Sequence, residues 1–198
     1  MDDFIIKSAR ELAMEKVEKL GKATEAEMLR WQYFPEGEKL ATRYLKQECN
    51  LVAELGKYDE GAKKYVIEGA SEVLVRNINL PRGNIAKKTN TKAMDGLKTL
   101  KNDKVAVENV FSKMRHVFNH YVTQGNQQRK QAYEALKADF EAKFRQAVQQ
   151  QYGTAMGFRI DVERQPQFQE EWRKLQTQLD AQYLKLLDEF KQELLSSP

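Results

Sequence analysis

The stretch FQEEWRKLQTQLDAQYLKLLDEFKQEL, residues 168–194, decides the fold of this chain. Its large apolar residues recur every three or four positions: Phe168, Trp172, Leu175, Leu179, Tyr183, Leu186, Phe190 and Leu194. Such residues lie on one face of an α-helix, because a helical turn takes about 3.6 residues. Polar residues between them form a solvated opposite face. A helix of about 45 Å must bury the apolar face against another long helix, in the same chain or in a second copy.

An earlier stretch of the chain has the same periodicity. The large apolar residues of 133–144 follow spacings of three, four and four. This rhythm is typical of an 11-residue repeat and favours nearly straight helix packing. A strict seven-residue repeat would instead place Gln182 and Glu189 in the interface. We therefore predict an antiparallel hairpin of helices 126–152 and 166–196, with the eight apolar residues of the second helix as its interface.

The composition favours helix over the whole length. The sequence has only 4 Pro and 10 Gly among 198 residues, and it is rich in Glu, Lys, Gln, Ala and Leu. We predict an all-α (mainly α) fold, an elongated bundle of about six or seven helices with at most one short pair of strands, at 72–80 and 158–162. The predicted parts are an amino-terminal helical cluster (1–78), a basic connector (79–104) and a long-helix bundle (105–198), which can pack as a single domain.

Local signals predict several boundaries before the hairpin. An amphipathic helix is expected over residues 3–20. Thr24 with Glu27 is typical of a capping box that opens the next helix. That helix should end before Pro35, because a residue that precedes proline is pushed out of the α region. Residues 79–91 contain several turn formers and lack apolar periodicity, so they predict a flexible loop.

Positive charge is concentrated in the connector. Residues 76–104 hold eight basic residues and two acidic ones, whereas residues 1–75 have a net charge of −3. The basic residues are Arg76, Arg82, Lys87, Lys88, Lys92, Lys98, Lys101 and Lys104. Such a segment can bind nucleic acid or another polyanion by neutralising phosphates, although it offers no aromatic ring on which bases could stack. The alternative is that it lies against the acidic residues 1–75, within one subunit or between two.

The two histidines, His116 and His120, are four residues apart, a spacing that allows two imidazoles to bind one metal ion. With Met114 at the centre of the apolar face, about 100° per residue places both histidines toward solvent. No Glu-x-x-His motif supplies further ligands. The pair is a weak metal candidate, and a polar-face pair is the favoured interpretation.

Catalytic signatures are lacking in the sequence. It contains no Gly-x-Ser-x-Gly, P-loop or Gly-x-Gly-x-x-Gly motif. The single cysteine, Cys49, falls at the edge of an apolar stripe, where a cysteine is usually a small core residue. We expect a protein that is not an enzyme and that uses no cofactor.

The features that mark targeting peptides, membrane spans and disulfides favour a cytoplasmic protein without a membrane span. The first residues are acidic, no run approaches about 20 apolar residues, and one cysteine excludes an intrachain disulfide. We predict a non-enzymatic interaction or scaffold protein that forms a homo-oligomer, or binds a protein partner, through its long helices. The alternative function is binding of nucleic acid or another polyanion by residues 76–104.

Overall fold

The computed structural model describes residues 23–152 and 161–197. Its helices are α1 (Glu25–Leu45), α2 (Leu51–Leu55), α3 (Glu60–Arg76), α4 (Asn84–Leu100), α5 (Lys104–Val122), α6 (Gln124–Tyr152) and α7 (Pro166–Ser196), with a short 3-10 turn at Val162–Arg164. No strand forms within these ranges, so the all-α prediction is confirmed. The predicted helix at 3–20 and most of the predicted strand at 158–162 lie outside the described residues.

The beginning of α1 is as predicted, and its end is not. Thr24 Oγ1 accepts a hydrogen bond from the Glu27 amide at 3.2 Å, and Glu27 Oε2 accepts one from the Thr24 amide at 2.7 Å. The predicted end before Pro35 is wrong, because α1 runs through this proline to Leu45. Burial of the later part of the helix outweighs the local preference of the residue before proline.

That burial depends on two glycines at the contact between α1 and α3. A Cβ atom on Gly37 would lie 2.1 Å from the Val66 carbonyl oxygen, and one on Gly69 would lie 2.2 Å from the Phe34 carbonyl oxygen. Each helix therefore presents a glycine to the backbone of the other. Only glycine permits so close an approach, which makes this pair the tightest helix contact that we describe.

The predicted break in the connector is present at 79–83, but the loop expected to continue to residue 91 is wrong from Asn84 onward, where a helix begins. Helix α4 begins at Asn84 and buries its apolar face in the core. Asn90 is buried because its amide pairs with the main chain of Asn79, accepting from the amide at 2.9 Å and donating to the carbonyl at 2.6 Å. Between the two alternatives at 72–80, helix or strand, the structure shows helix, because α3 continues to Arg76 and no strand follows up to Leu80.

The five helices from α1 through α5 share one hydrophobic core with the carboxyl-terminal half of α7. Leu187 and Leu194 of α7 belong to the same buried cluster as Leu74 and Leu97. We call this part the body. The rest of α7 pairs with α6 to form the arm, in which the ring centroids of Tyr133 and Trp172 are 5.0 Å apart and those of Phe140 and Phe168 are 5.4 Å apart. This order confirms the antiparallel hairpin.

The inward face of α7 differs from the predicted one over its second half. The inward residues are Asp180, Tyr183, Leu187, Phe190 and Leu194, whose spacings alternate between three and four. This is a seven-residue repeat, so the predicted 11-residue repeat is wrong here. Leu186, expected in the interface, is 42% exposed. Apolar periodicity missed the shift because one inward position is a carboxylate.

Candidate functional site

A buried carboxylate, Asp180, lies where the body meets the arm. It is 5% exposed. Its Oδ2 accepts a hydrogen bond from Arg82 Nη2 at 2.7 Å, and its Oδ1 accepts one from Arg129 Nη1 at 3.3 Å. The Tyr121 hydroxyl lies 3.4 Å from Oδ2. Burial, followed by the charge of Asp180, raises the pKa of Tyr121, so this hydroxyl stays protonated and can donate to the carboxylate.

Local structure fixes both arginines of this cluster. Arg82 ends the extended segment that the amide of Asn90 holds against α4. Arg129 projects from the first turns of α6, where its guanidinium lies 4.0 Å from the centroid of the Tyr121 ring. Its Nη2 donates to the Tyr121 carbonyl oxygen at 2.9 Å and to Asn126 Oδ1 at 2.5 Å. Arg129 thus satisfies a carbonyl group at the end of α5 and joins α5, α6 and α7.

An open cleft of about 760 Å³ lies beside this cluster, and we call it the basic cleft. Its polar lining consists of Arg82, Lys87, Arg129, Arg173, Asp180, Tyr121, Asn126, Gln176 and Thr177. Neither Lys87 nor Arg173 forms an ion pair with any other residue in the described ranges. Helix α4 also begins here, with Gly83 as an N-cap that supplies no side-chain hydrogen bond.

The structure does not gather the eight predicted basic residues onto one surface. Only Arg82 and Lys87 line the basic cleft. Elsewhere Arg76 pairs with Glu72, Lys98 pairs with Glu108, Lys92 lies over the Tyr44 ring and Lys101 donates to the Ser197 carbonyl. Burial lowers the pKa of Lys101, whereas Lys88 and Lys104 are exposed. Polyanion binding by the whole segment stays a prediction.

Sequence reasoning missed Arg129 and Arg173, which complete the cleft from α6 and α7. A weak signal for the second of them is present in the sequence. A polar stripe runs along one face of α7, because successive members of the set Arg173, Gln176, Thr177 and Asp180 are three, one and three positions apart. Such a stripe is usually the solvated face of an amphipathic helix, so it becomes a signal for a site only where the structure places it beside Arg82 and Arg129.

A second concavity of about 430 Å³ lies on the other side of α7. Its lining residues are Val117, Leu179, Leu186, Tyr183, His116, His120, Gln128, Gln178 and Gln182. None of them is Asp, Glu, Lys or Arg, so we call this surface the uncharged groove. With about 100° of rotation per residue, its α7 residues lie almost opposite those of the basic cleft.

Both predicted histidines line the uncharged groove. The Nδ1 atom of His120 is 2.8 Å from the Tyr183 hydroxyl oxygen. Within residues 23–152 and 161–197, no group of three His, Cys, Asp or Glu side chains could hold a metal ion. Hydrogen bonding to tyrosine is therefore the contact that the structure gives to His120, whereas His116 is an exposed residue of the groove lining.

Among the helices that the structure describes, none is both long enough and apolar enough to cross a membrane.

Comparison with known proteins gives one match. A family of unknown function, DUF6657, matches residues 52–196. No curated protein and no solved structure matches the chain. The matched region contains every lining residue of the basic cleft and of the uncharged groove.

Proposed function

We propose that this chain, which belongs to the DUF6657 family, is a non-enzymatic helical interaction protein that self-associates through its uncharged groove. The occupant of the groove is a second copy of the same chain. The observation that carries this proposal is the composition of the groove, since its nine lining residues within 23–152 and 161–197 include no Asp, Glu, Lys or Arg. By contrast, 31% of all residues of the chain are charged.

An uncharged surface suits a two-fold symmetric dimer. In such a dimer the same patch of both subunits meets, so each charged residue near the axis would face its own copy. Like charges that face each other across an interface oppose association. A patch of leucine, valine, glutamine and histidine avoids this repulsion, and its glutamine side chains can donate and accept hydrogen bonds with their own copies.

The leucines of the groove have the spacing of a coiled-coil face. Leu179 and Leu186 are seven residues apart on α7. Two copies of α7 that cross antiparallel would place each leucine against the groove of the other chain. Leu186, at 42% exposure, has most to gain from such contact, because burial of apolar surface contributes about 25 cal/mol per Å².

The arm supports a surface that extends beyond the groove. From Asn126 to Gln150 on α6, no side chain is buried. The apolar residues on its inward side are only half-buried, and Phe144 is 36% exposed. A pair of helices with so little burial is typical of half of a four-helix bundle. Two arms that pack together would complete such a bundle.

Sedimentation velocity over a range of protein concentrations tests this proposal. We expect a dimer that dissociates on dilution and that is lost in the variant Leu186→Glu, because a carboxylate would be buried in the interface. The matched control is Leu184→Glu, since Leu184 is 40% exposed on the same helix but does not line the groove. Both variants should fold, because both side chains already contact water.

Two results would contradict self-association through the groove. One is a wild-type chain that sediments as a monomer at its highest soluble concentration. The other is a dimer that Leu184→Glu weakens as strongly as Leu186→Glu does. A cytoplasmic location belongs to the same proposal and is supported by the single cysteine of the sequence.

A further inference from the structure

We infer that the basic cleft binds the phosphate group of a small phosphorylated molecule. This inference is independent of self-association, because the cleft and the uncharged groove lie on different sides of α7. Its starting observation is that Arg82, Lys87, Arg129 and Arg173 come from different parts of the chain and line one cleft.

The charges of the cleft do not balance within the described residues. Asp180 is the one carboxylate among the described lining residues, and its two oxygens are occupied by Arg82 and Arg129. This network explains why those two arginines are held together. It leaves Lys87 and Arg173 with no ion-pair partner among the residues described. The excess positive charge in a concave surface attracts an anion with two or more negative charges.

The cleft is also organised before any ligand binds. The side chain of Arg129 is 14% exposed and is held by the Tyr121 ring, the Tyr121 carbonyl and Asn126. Arg82 is held by its 2.7 Å contact with Asp180. Fixed guanidinium groups lose little entropy on binding and suit the tetrahedral oxygens of phosphate. An anion therefore meets positive charge that is already in place. The charged groups with no ion-pair partner among the described residues are those of Lys87 and Arg173.

The remaining lining indicates the rest of the ligand. Gln176 offers an amide group and Thr177 a hydroxyl oxygen that can hydrogen-bond to the hydroxyls of a ligand. One face of the Tyr121 ring is covered by Arg129, and the Tyr183 ring meets it edge-on. Among the residues that the structure describes, Tyr121 is the one aromatic residue in the lining, so a nucleobase would find little surface for stacking. This lining favours a phosphate ester of a polyhydroxylated molecule over a nucleotide.

The size of the cleft favours a small ligand over a nucleic acid. Its volume of about 760 Å³ lies within the range of roughly 300 to 1,000 Å³ that is usual for small-molecule sites. A nucleic acid would need positive charge that follows its backbone. In contrast, the exposed Lys88 and Lys104 lie outside this cleft.

Isothermal titration calorimetry at low salt tests the inference with inorganic pyrophosphate, glucose 6-phosphate and glucose. We expect both phosphate compounds to bind at one site and to compete, whereas glucose does not bind. Lys87→Gln and Arg173→Gln should each weaken binding roughly tenfold, because each removes a hydrogen bond to a charged group. Lys88→Gln is the matched control, since Lys88 is exposed on the same helix but does not line the cleft.

Three results would overturn the inference. The first is that pyrophosphate does not bind. The second is that Lys88→Gln weakens binding as much as Lys87→Gln, which would indicate a diffuse charge effect. The third is that a single-stranded oligonucleotide binds and pyrophosphate does not displace it, which would favour an extended polyanion surface. Binding measured on Leu186→Glu should equal that of the wild type, so failure of the dimer proposal would not affect this test.

Discussion

The body and the arm each contain a long pair of packed helices, and the two pairs differ in how closely they approach. In the body, α1 and α3 touch through Gly37 and Gly69, where a Cβ atom would come within 2.2 Å of a carbonyl oxygen of the facing helix. In the arm, aromatic rings separate α6 from α7, with the centroids of Tyr133 and Trp172 5.0 Å apart. The body buries its contact residues, whereas those of α6 from Asn126 to Gln150 are at most half-buried.

This difference gives the two parts different roles, because close packing stabilises the body and exposed apolar surface favours association of the arm. Close helix packing removes apolar surface from water and stabilises the body without a partner. The arm leaves apolar surface exposed, so it has more to gain from a second chain. The basic cleft lies between them, at the point where α7 passes from one to the other and its inward side chains are polar. A site at such a boundary is held by the body and remains open to solvent.

The largest expected effect is that of Gly69→Ala in the body. Its Cβ would lie 2.2 Å from the Phe34 carbonyl oxygen, and neither backbone can yield without separating α1 from α3. We expect a loss of about 3 kcal/mol in the free energy of unfolding, as in other overpacked cores. Urea unfolding followed by circular dichroism measures this loss.

The control for this substitution is Gly56→Ala. A Cβ at Gly56 would meet its nearest neighbour at 3.6 Å, which is an ordinary contact. This variant should be neutral or slightly stabilised, because alanine restricts the unfolded chain. If Gly69→Ala were equally well tolerated, the α1–α3 contact would not be the close one described and the comparison with the arm would fail.

A smaller loss is expected for Asp180→Asn at the boundary. The substitution removes the charge that pairs with Arg129, whose side chain is 14% exposed. Removing one partner of a buried ion pair costs about 3 to 5 kcal/mol, but Arg82 is largely exposed and can turn to solvent. We therefore expect a loss of about 2 kcal/mol, measured by urea unfolding.

The double variant Asp180→Leu, Arg129→Leu distinguishes pairing from simple packing. Replacing both partners by apolar residues leaves no buried charge and extends the seven-residue apolar repeat of α7. We expect it to be more stable than Asp180→Asn. A double variant that is less stable would mean that the polar cluster itself holds the arm on the body.

The long helices could be predicted from the sequence because their apolar period is a local property. The predicted 166–196 agrees with the observed Pro166–Ser196, and the capping box at Thr24 was also predicted. The prediction failed where a tertiary contact outweighs a local preference. Pro35 lies inside a helix because glycine contacts bury its neighbours. Asn90, a turn former by composition, is a buried hydrogen-bonding residue of α4.

The basic cleft was only half predictable, for a physical reason. Arg82 and Lys87 belong to a charged segment that composition reveals, whereas Arg129 and Arg173 lie in helices with ordinary surface charge. Periodicity gives the face of a helix that a residue occupies. It does not give which other helix that face will meet. A site built from four segments therefore needs the tertiary structure.

The smallest expected effect is that of Glu108→Gln on the surface of the body. Glu108 accepts hydrogen bonds from Lys98 at 2.9 Å and from Arg115 at 2.5 Å. These two bonds lower the pKa of Glu108 below its ordinary value of 4.5, and the bond from Lys98 has the larger effect. The stabilisation by these two ion pairs is therefore fully present above the ordinary pKa of Glu108, and it is lost as the pH falls through the lowered pKa. Because all three side chains are largely exposed, the contribution is small.

Thermal unfolding at pH 7 and at pH 3 measures this contribution. At pH 7 the melting temperature of Glu108→Gln should fall by no more than a few degrees, and at pH 3 the difference from the wild type should shrink. Glu189→Gln is the control, since Glu189 is exposed and forms no ion pair with another described residue. If Glu108→Gln lost as much stability as Asp180→Asn, surface ion pairs rather than close helix packing would make the body more stable than the arm.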